Sequence, residues 1–309
     1  MIKNIGMVGA GAVGSMLTSY LYEEDSEHFY LLAKGARAKR LNEMGISVND
    51  HTIYPKVYSE KEQNIKLDLL IIAVKNYSLD TVIEEVGELI QKDTVILPIQ
   101  NGIKATEKLQ SAFPENRVLY GVMLRTDAHR TGHKVFFSIP GELQIGYAQN
   151  YVIAPELQEI YDVLKMSGIN VHIYEDMKRT LWRKWMSNTA GSQVAVEVGV
   201  ECGYFEQVEE IITLIRLCID EMLELAKAEH INVNEQDRDE IIDMLIHYPA
   251  HKKMSMLQDW EARRPMEIDD YSGAVLELGR KHGIQTPVNQ AIYLAIKARE
   301  QVIEMRKHI

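Results

Sequence analysis

The chain has 309 residues, 46% of them hydrophobic, which is enough for a large buried core and favours two domains over one. With 45 acidic against 34 basic residues the formal net charge is -11, a field that opposes polyphosphates and excludes nucleic acid as the expected partner. No apolar run reaches the roughly 18 residues of a membrane span, and the start from Met1 to Gly14 turns glycine-rich too early for a signal peptide, so a cytoplasmic protein with no membrane partner is expected.

The first apolar run, Ile2 to Val8, leads directly into Gly9-Ala10-Gly11-Ala12-Val13-Gly14, which opens a helix through Ser15, Met16, Leu17 and Tyr20. A strand, a GxGxxG turn and a helix form the dinucleotide-binding pattern. The first glycine permits the sharp turn, the second lets a pyrophosphate approach the backbone, and the third lets helix and strand pack closely. The second run, Phe29 to Leu32, ends near Lys34, where NAD-selective sites commonly carry Asp or Glu. A cation there, followed by Arg37, Lys39 and Arg40, suits a 2′-phosphate and tilts the reading to NADP(H).

Two further runs, Leu67 to Val74 and Thr94 to Ile99, end in Lys75 and in Gln100-Asn101-Gly102. Ligands of open α/β sheets lie beyond the carboxyl ends of the strands, so these residues are candidates to flank the cofactor. Apolar runs alternating with amphipathic stretches predict a parallel, doubly wound Rossmann-like sheet. The shorter runs Val118 to Leu124, Lys134 to Ser138, Glu142 to Tyr147 and Asn170 to Ile173 are expected to extend the same sheet.

After about Tyr174 the pattern becomes helical, through Met177 to Val196, Gln207 to Glu229 and Glu235 to Leu245, and no strand is expected. The stretch from Val208 to Leu225 is apolar around most of its circumference and predicts an enclosed central helix. A tight hinge near residues 173 to 178 is expected to divide a nucleotide-binding domain, 1–175, from a helical substrate and catalytic domain, 176–309, with a cleft between them. Cys202 and Cys218 show neither a CxxC spacing nor a nearby His pair, so they read as buried thiols, with no metal site.

The helical half opens on Leu181-Trp182-Arg183-Lys184-Trp185-Met186-Ser187-Asn188, with Lys184, Asn188 and Ser192 on one helical face. Reducing a ketone requires a proton on the carbonyl oxygen as hydride reaches carbon. A lysine supplies it once desolvation brings its pKa down from about 10.4 toward neutrality, and Trp182 and Trp185 are placed to provide that desolvation. Further on, Pro265 fits the first position of a helix and Glu267 its first turn, so helix capping competes with a ligand role for Glu267.

Over nearly its whole length the chain resembles the ketopantoate reductase family. The likeness is carried, in order, by GAGAVG at Gly9 to Gly14, Val74-Lys75, Gln100-Asn101-Gly102, Leu181 to Lys184 with Asn188, Ser255-Met256-Leu257-Gln258-Asp259, Glu267-Ile268-Asp269 and His282 to Pro287. The resemblance implies a Rossmann-like domain followed by an all-α domain like the C-terminal domain of 6-phosphogluconate dehydrogenase. It implies NADPH-dependent reduction of a 2-oxo acid, foremost 2-dehydropantoate to pantoate in pantothenate biosynthesis. Lys184 would be the proton donor, and Lys184, Asn188, Ser192, Ser255 and Asn101 the substrate ligands. Gly9, Ala10, Gly11, Ala12, Val13, Gly14, Lys34, Lys75, Asn101, Ala128 and Glu267 would line the cofactor, with Lys34 where the family usually has arginine. A homodimer through the helical half is the expected assembly.

Two departures bear on the substrate: Ser192 and Cys202 stand where the family often has asparagine. Each hydrogen bond lost could cost about 1–3 kcal/mol. Reduction of a different branched or aryl 2-oxo acid is therefore the alternative, and a non-catalytic NADP-binding protein that kept the fold is the reading from another class.

Overall fold

The computed structural model describes residues 2–59 and 65–306. They form two compact units, Met1–Thr180 and Leu181–Ile309. Among the described residues no helix is long and apolar enough to cross a membrane, and no cluster of His, Cys, Asp and Glu could hold a metal ion.

In chain order the first unit contains β1 (Ile5–Val8), α1 (Ala12–Glu24), β2 (Phe29–Leu32), α2 (Gly35–Met44), β3 (Ile46–Val48), β4 (His51–Ile53), β5 (Lys56–Tyr58) and β6 (Leu69–Ile72). It continues with α3 (Leu79–Val86), β7 (Val95–Pro98), α4 (Ala105–Ala112), β8 (Tyr120–Leu124), β9 (His129–Thr131), β10 (Lys134–Phe136), β11 (Glu142–Gly146), α5 (Pro155–Met166) and β12 (Val171–Ile173). The main sheet has the order β5-β2-β1-β6-β7 and is parallel throughout. Its central strand β6 shows why the sequence reads as an unbroken apolar run. Leu69 and Ile71 point into one buried cluster and Leu70 and Ile72 into another, so both faces of the strand are core.

The later strands do not simply extend this sheet. They form a four-stranded ladder, β4-β3-β10-β9, and a three-stranded one, β12-β11-β8. The second is linked to the main sheet by an isolated bridge, Ile96 to Val118, and not by a continuous ladder. Pro98 supplies the reason. Ile96 N–H donates to Arg117 and Leu119 N–H returns the bond to Ile96, but Pro98, two residues on and aimed the same way, has no N–H with which to continue the ladder. The short strands β3, β4 and β5 lie outside the runs that stood out in the sequence. β3 and β4 are joined by Asn49 and Asp50, both with positive φ (46° and 64°), the conformation of a two-residue hairpin turn.

The second unit is entirely helical among the described residues: α6 (Met177–Val198, whose first turn precedes the division), α7 (Gly203–Gln207), α8 (Glu209–Ala228), α9 (Glu235–Ile246), α10 (Ser255–Glu261), α11 (Ser272–His282) and α12 (Pro287–Arg306). Helix α8 buries Ile211, Ile215, Cys218, Ile219, Met222, Leu223, Leu225 and Ala226 but leaves Leu217 exposed, so it is central without being enclosed all round. Both cysteines are buried and free, and burial raises their thiol pKa values, to about 11 for Cys202 and about 12 for Cys218.

A buried polar knot ties these helices together. Gln193 of α6 donates to Asn289 Oδ1 of α12 at 2.8 Å and accepts from the Ser272 hydroxyl of α11. Asn289 in turn donates to the Cys218 carbonyl at 3.1 Å and to Glu221 at 2.7 Å, both on α8. Asn289→Ala strands several buried partners at once. It should lower the urea midpoint by an amount equivalent to about 1–3 kcal/mol, measured by circular dichroism; an unchanged midpoint would show that the knot adds nothing to stability.

Candidate functional site

In the first unit the glycine turn joins β1 to α1, and its sterics fit the three roles expected of it. Gly9 has φ +108°, and a Cβ there would lie 2.5 Å from the Ala73 carbonyl oxygen. A Cβ on Gly14 would lie 1.8 Å from the Gly9 carbonyl oxygen, so strand and helix approach as closely as they do only without a side chain. At Gly11 a Cβ would meet nothing within 4 Å, which leaves open the space that a phosphate at the start of α1 would occupy. Ala10, Ala12 and Val13 are partly buried around this turn.

The ends of β6 and β7 are tied to each other. Asn76 Nδ2 donates to the Asn101 carbonyl at 2.7 Å, Lys75 caps the short 3-10 turn Asn76–Ser78, and Gly102 takes φ +86°. Beside them Gln100 is buried, yet neither end of its amide finds a partner among the described residues. A buried amide left unpaired at a strand's carboxyl end is a position suited to a polar ligand. The glycine cradle and this amide together fit a dinucleotide.

Lys34 is partly buried and sits 3.9 Å from Glu88. Ala128 is partly buried and its N–H donates to Thr126 Oγ1 at 3.1 Å. Arg130, which no feature of the sequence had marked, donates from Nη1 to the Ala10 carbonyl of the glycine turn at 3.2 Å.

In the second unit the candidate residues gather around α6. Lys184 is partly accessible by surface area, yet burial of its ammonium pushes its pKa from 10.5 down to about 8, while the Glu267 carboxylate acts in the opposite direction. Glu267 is 3% exposed. It does not stand in the first turn of a helix as the Pro265 reading supposed. Residues 264–267 are irregular, the turn that follows is closed by the Asp270 and Tyr271 N–H groups donating to the Glu267 carbonyl, and α11 starts only at Ser272. The segment is held from α6, because Trp185 Nε1 donates to the Asp270 carbonyl at 3.0 Å. Trp185 in turn packs edge-on against Trp182 at 5.1 Å between ring centroids.

Tyr271 is fully buried, and burial followed by the Glu267 charge raises its pKa well above the usual value. Its hydroxyl has Ser255 as a neighbour but makes no hydrogen bond of normal geometry. Ser255 is exposed at the start of α10. Asn188, one turn after Lys184, is partly buried, and Ser192, another turn on, is fully buried with its hydroxyl unpaired. Arg183 fixes α6 to α9 through Asp237 at 2.5 Å and Glu240 at 2.7 Å, leaving the neighbouring lysine unengaged by either carboxylate. Lys184, Glu267, Tyr271 and Ser255 thus form one chain of neighbours. Tyr271 was the member absent from sequence reasoning; its spacing of four residues after Glu267 was the available signal.

Comparison with known proteins agrees over both units. The family profile described as "Ketopantoate reductase PanE/ApbA" matches residues 5–150, and "Ketopantoate reductase PanE/ApbA C terminal" matches residues 176–300. A 2-dehydropantoate 2-reductase of Vibrio cholerae is 26% identical over 298 residues, covering 96% of this chain and 98% of that protein. The fold is also that of a dimeric ketopantoate reductase from Staphylococcus aureus, with TM-score 0.79, 23% identity and 96% and 99% of the two chains covered. A D-mandelate dehydrogenase solved with NADH and anilino(oxo)acetate superposes with TM-score 0.85 at 23% identity, covering 97% and 99%.

The glycines separate folding from binding. Gly14→Ala forces its Cβ against the Gly9 carbonyl and should cost about 3 kcal/mol, read as a lowered Tm. Gly11→Ala should keep a near-native Tm while losing dinucleotide affinity in a fluorescence titration; unchanged affinity would remove Gly11 from the cradle.

Proposed function

Because the chain belongs to the ketopantoate reductase family, we propose that it reduces a 2-oxo acid to the corresponding 2-hydroxy acid with NADPH, 2-dehydropantoate being the foremost substrate. The observation that carries this is the desolvated ammonium of Lys184, with a pKa of about 8 beside the buried Glu267. An ordinary surface lysine holds its proton too tightly to serve as an acid near neutral pH, whereas one at about 8 remains roughly nine-tenths protonated at pH 7 and gives the proton up readily. When bound, the nicotinamide supplies the hydride.

Lys184 Nζ orients the ketone through its oxygen, polarises it, and delivers the proton to that oxygen as the carbonyl carbon is reduced. The neutral amine is then recharged from water. The same positive charge attracts the substrate carboxylate, and Glu267 keeps the ammonium from losing its proton altogether. Asn188, Ser255 and the hydroxyl of Ser192 are assigned to the substrate, with Asn101 reaching both substrate and cofactor. Gly9, Ala10, Gly11, Ala12, Val13, Gly14, Lys34, Lys75, Ala128 and Glu267 are assigned to the cofactor. A non-catalytic role would give no reason for burying a lysine whose charge burial opposes. The dimer described for the Staphylococcus aureus protein supports a homodimer here.

Ser192 and Cys202 favour one second reading. Ser192 has a buried, unpaired hydroxyl and Cys202 a buried thiol, so this part of the second unit offers less hydrogen bonding to a hydroxylated acid than two amides would. An aryl or plain branched 2-oxo acid loses nothing there.

Lys184→Ala should lower kcat by about 10²–10⁴-fold with an unchanged circular dichroism spectrum; near wild-type turnover would remove the proposed acid. Reduction requires the protonated lysine, so kcat/KM should fall as pH rises through about 8. Because Glu267 raises the Lys184 pKa, Glu267→Gln should move that falling limb to lower pH; a shift upward would contradict the coupling. In a panel of 2-oxo acids followed by NADPH oxidation, ketopantoate should show the highest kcat/KM, and preference for an aryl 2-oxo acid would transfer the assignment to the second reading.

A further inference from the structure

The carboxyl ends of β1 and β2 gather several positive charges that the carboxylates among the described residues offset only in part. Arg130 projects from β9 and donates from Nη1 to the Ala10 carbonyl at 3.2 Å and from Nε to the Gly132 carbonyl at 3.0 Å. These two bonds orient the guanidinium and leave the rest of its five N–H donors for another partner. Arg37, in the first turn of α2, is close enough to Arg130 and to Arg40 for both to act on its charge. Arg37, like Arg40 and Arg130, is exposed by surface area, but partial desolvation by the surrounding protein first, and then these two like charges, lower its pKa. Glu85 works against that shift from beyond ion-pair distance, and among the described residues none of the three arginines has a carboxylate within 4 Å. Lys34, by contrast, is drawn toward Glu88 at 3.9 Å.

Holding guanidinium groups together costs free energy, and a chain with a net charge of -11 has carboxylates enough to pair them. Their convergence beside the glycine turn is explained if an anion from outside completes the site. The placement of Arg130 is also prepared rather than incidental. Asp127 accepts from the Ser138 and Ile139 N–H groups at 2.9 and 2.8 Å and from the Ser138 hydroxyl at 2.5 Å, closing the base of the β9-β10 hairpin. His129 stacks on Phe136 across it. The hairpin belongs to the four-stranded ladder, outside the βαβ unit whose glycine turn it reaches.

A guanidinium bonded to the pyrophosphate turn, and near enough to Arg37 in the first turn of α2 for their charges to interact, lies by the position of the adenosine ribose in a doubly wound sheet. We propose that Arg130 and Arg37 together grip the 2′-phosphate of NADPH, so that the β9-β10 hairpin, and not the end of β2 alone, sets the choice of NADPH over NADH. This rests on the reductase reading above and adds to it the residues that select the cofactor. Arg suits the task because its planar fork can give two parallel N–H bonds to a phosphate, which Lys34 cannot.

The test is the binding of NADPH, NADH, 2′,5′-ADP and 5′-AMP, by calorimetry, to wild type, Arg130→Ala, Arg130→Lys and Arg37→Ala, each checked for an unchanged Tm. The expected result is tighter NADPH than NADH binding in wild type. Arg130→Ala and Arg37→Ala should each weaken NADPH and 2′,5′-ADP by roughly 10- to 100-fold, with NADH and 5′-AMP changed less than about threefold and Arg130→Lys falling between. Equal loss of NADPH and NADH in Arg130→Ala would reduce Arg130 to a brace for the Ala10 turn and overturn the proposal, as would equal affinities in wild type; the reductase reading survives both results. Wild type that binds neither dinucleotide would bring down both.

Discussion

The desolvated ammonium of Lys184 is the constraint on which the second unit depends. A charge removed from water without full compensation destabilises the folded chain unless something nearby favours it. Here Glu267 does so in part, and the balance leaves a pKa of about 8. Keeping that balance requires the carboxylate to be fixed. The turn after Glu267 is closed by its own carbonyl, the Trp185 indole holds Asp270 to α6, and Tyr271 fills the space below. On the other side of α6, Arg183 is bound to Asp237 and Glu240. Adjacent cations in the sequence thus meet opposite fates: Arg183 is paired with two carboxylates, while Lys184 is desolvated and its pKa lowered.

In the first unit the constraint is steric. Gly9 and Gly14 are required by backbone atoms at 2.5 and 1.8 Å from where their Cβ atoms would be, whereas Gly11 faces open space. Two glycines are therefore required by the fold, and the third leaves room for a ligand. Unpaired polar groups, such as the amide of Gln100 and the hydroxyl of Ser192, occur beside the residues assigned to binding in each unit. Buried groups of this kind ordinarily find partners within the protein, so their presence there is what a site built to receive a polar ligand would show.

Local features were legible in the sequence, and features made by distant contacts were not. The GAGAVG turn, the apolar runs of β1, β2, β6 and β7 and the helical periods of α6, α8 and α9 announce themselves because each is set by neighbours a few residues away. The later strands read as continuing the main sheet even though Pro98 stands in the sequence. Its effect depends on which side of β7 its missing N–H would face, and that follows only from the register. β3, β4 and β5, three residues each, are too short to show a period. Pro265 suggested a helix start, but the tie from Trp185 to Asp270 accompanies a turn there instead. Arg130 was invisible because its partner, Ala10, lies 120 residues earlier. Lys184 stood out for the opposite reason: its spacing to Asn188 and Ser192 is local, although its pKa is not.

The most direct test is the titration of Lys184 itself. In protein carrying 13C-labelled lysine, the side-chain resonance that disappears in Lys184→Met should titrate with a midpoint near pH 8. A midpoint at the ordinary lysine value of about 10.4 or above would show a solvated ammonium and contradict the proposed role of Lys184 as the acid.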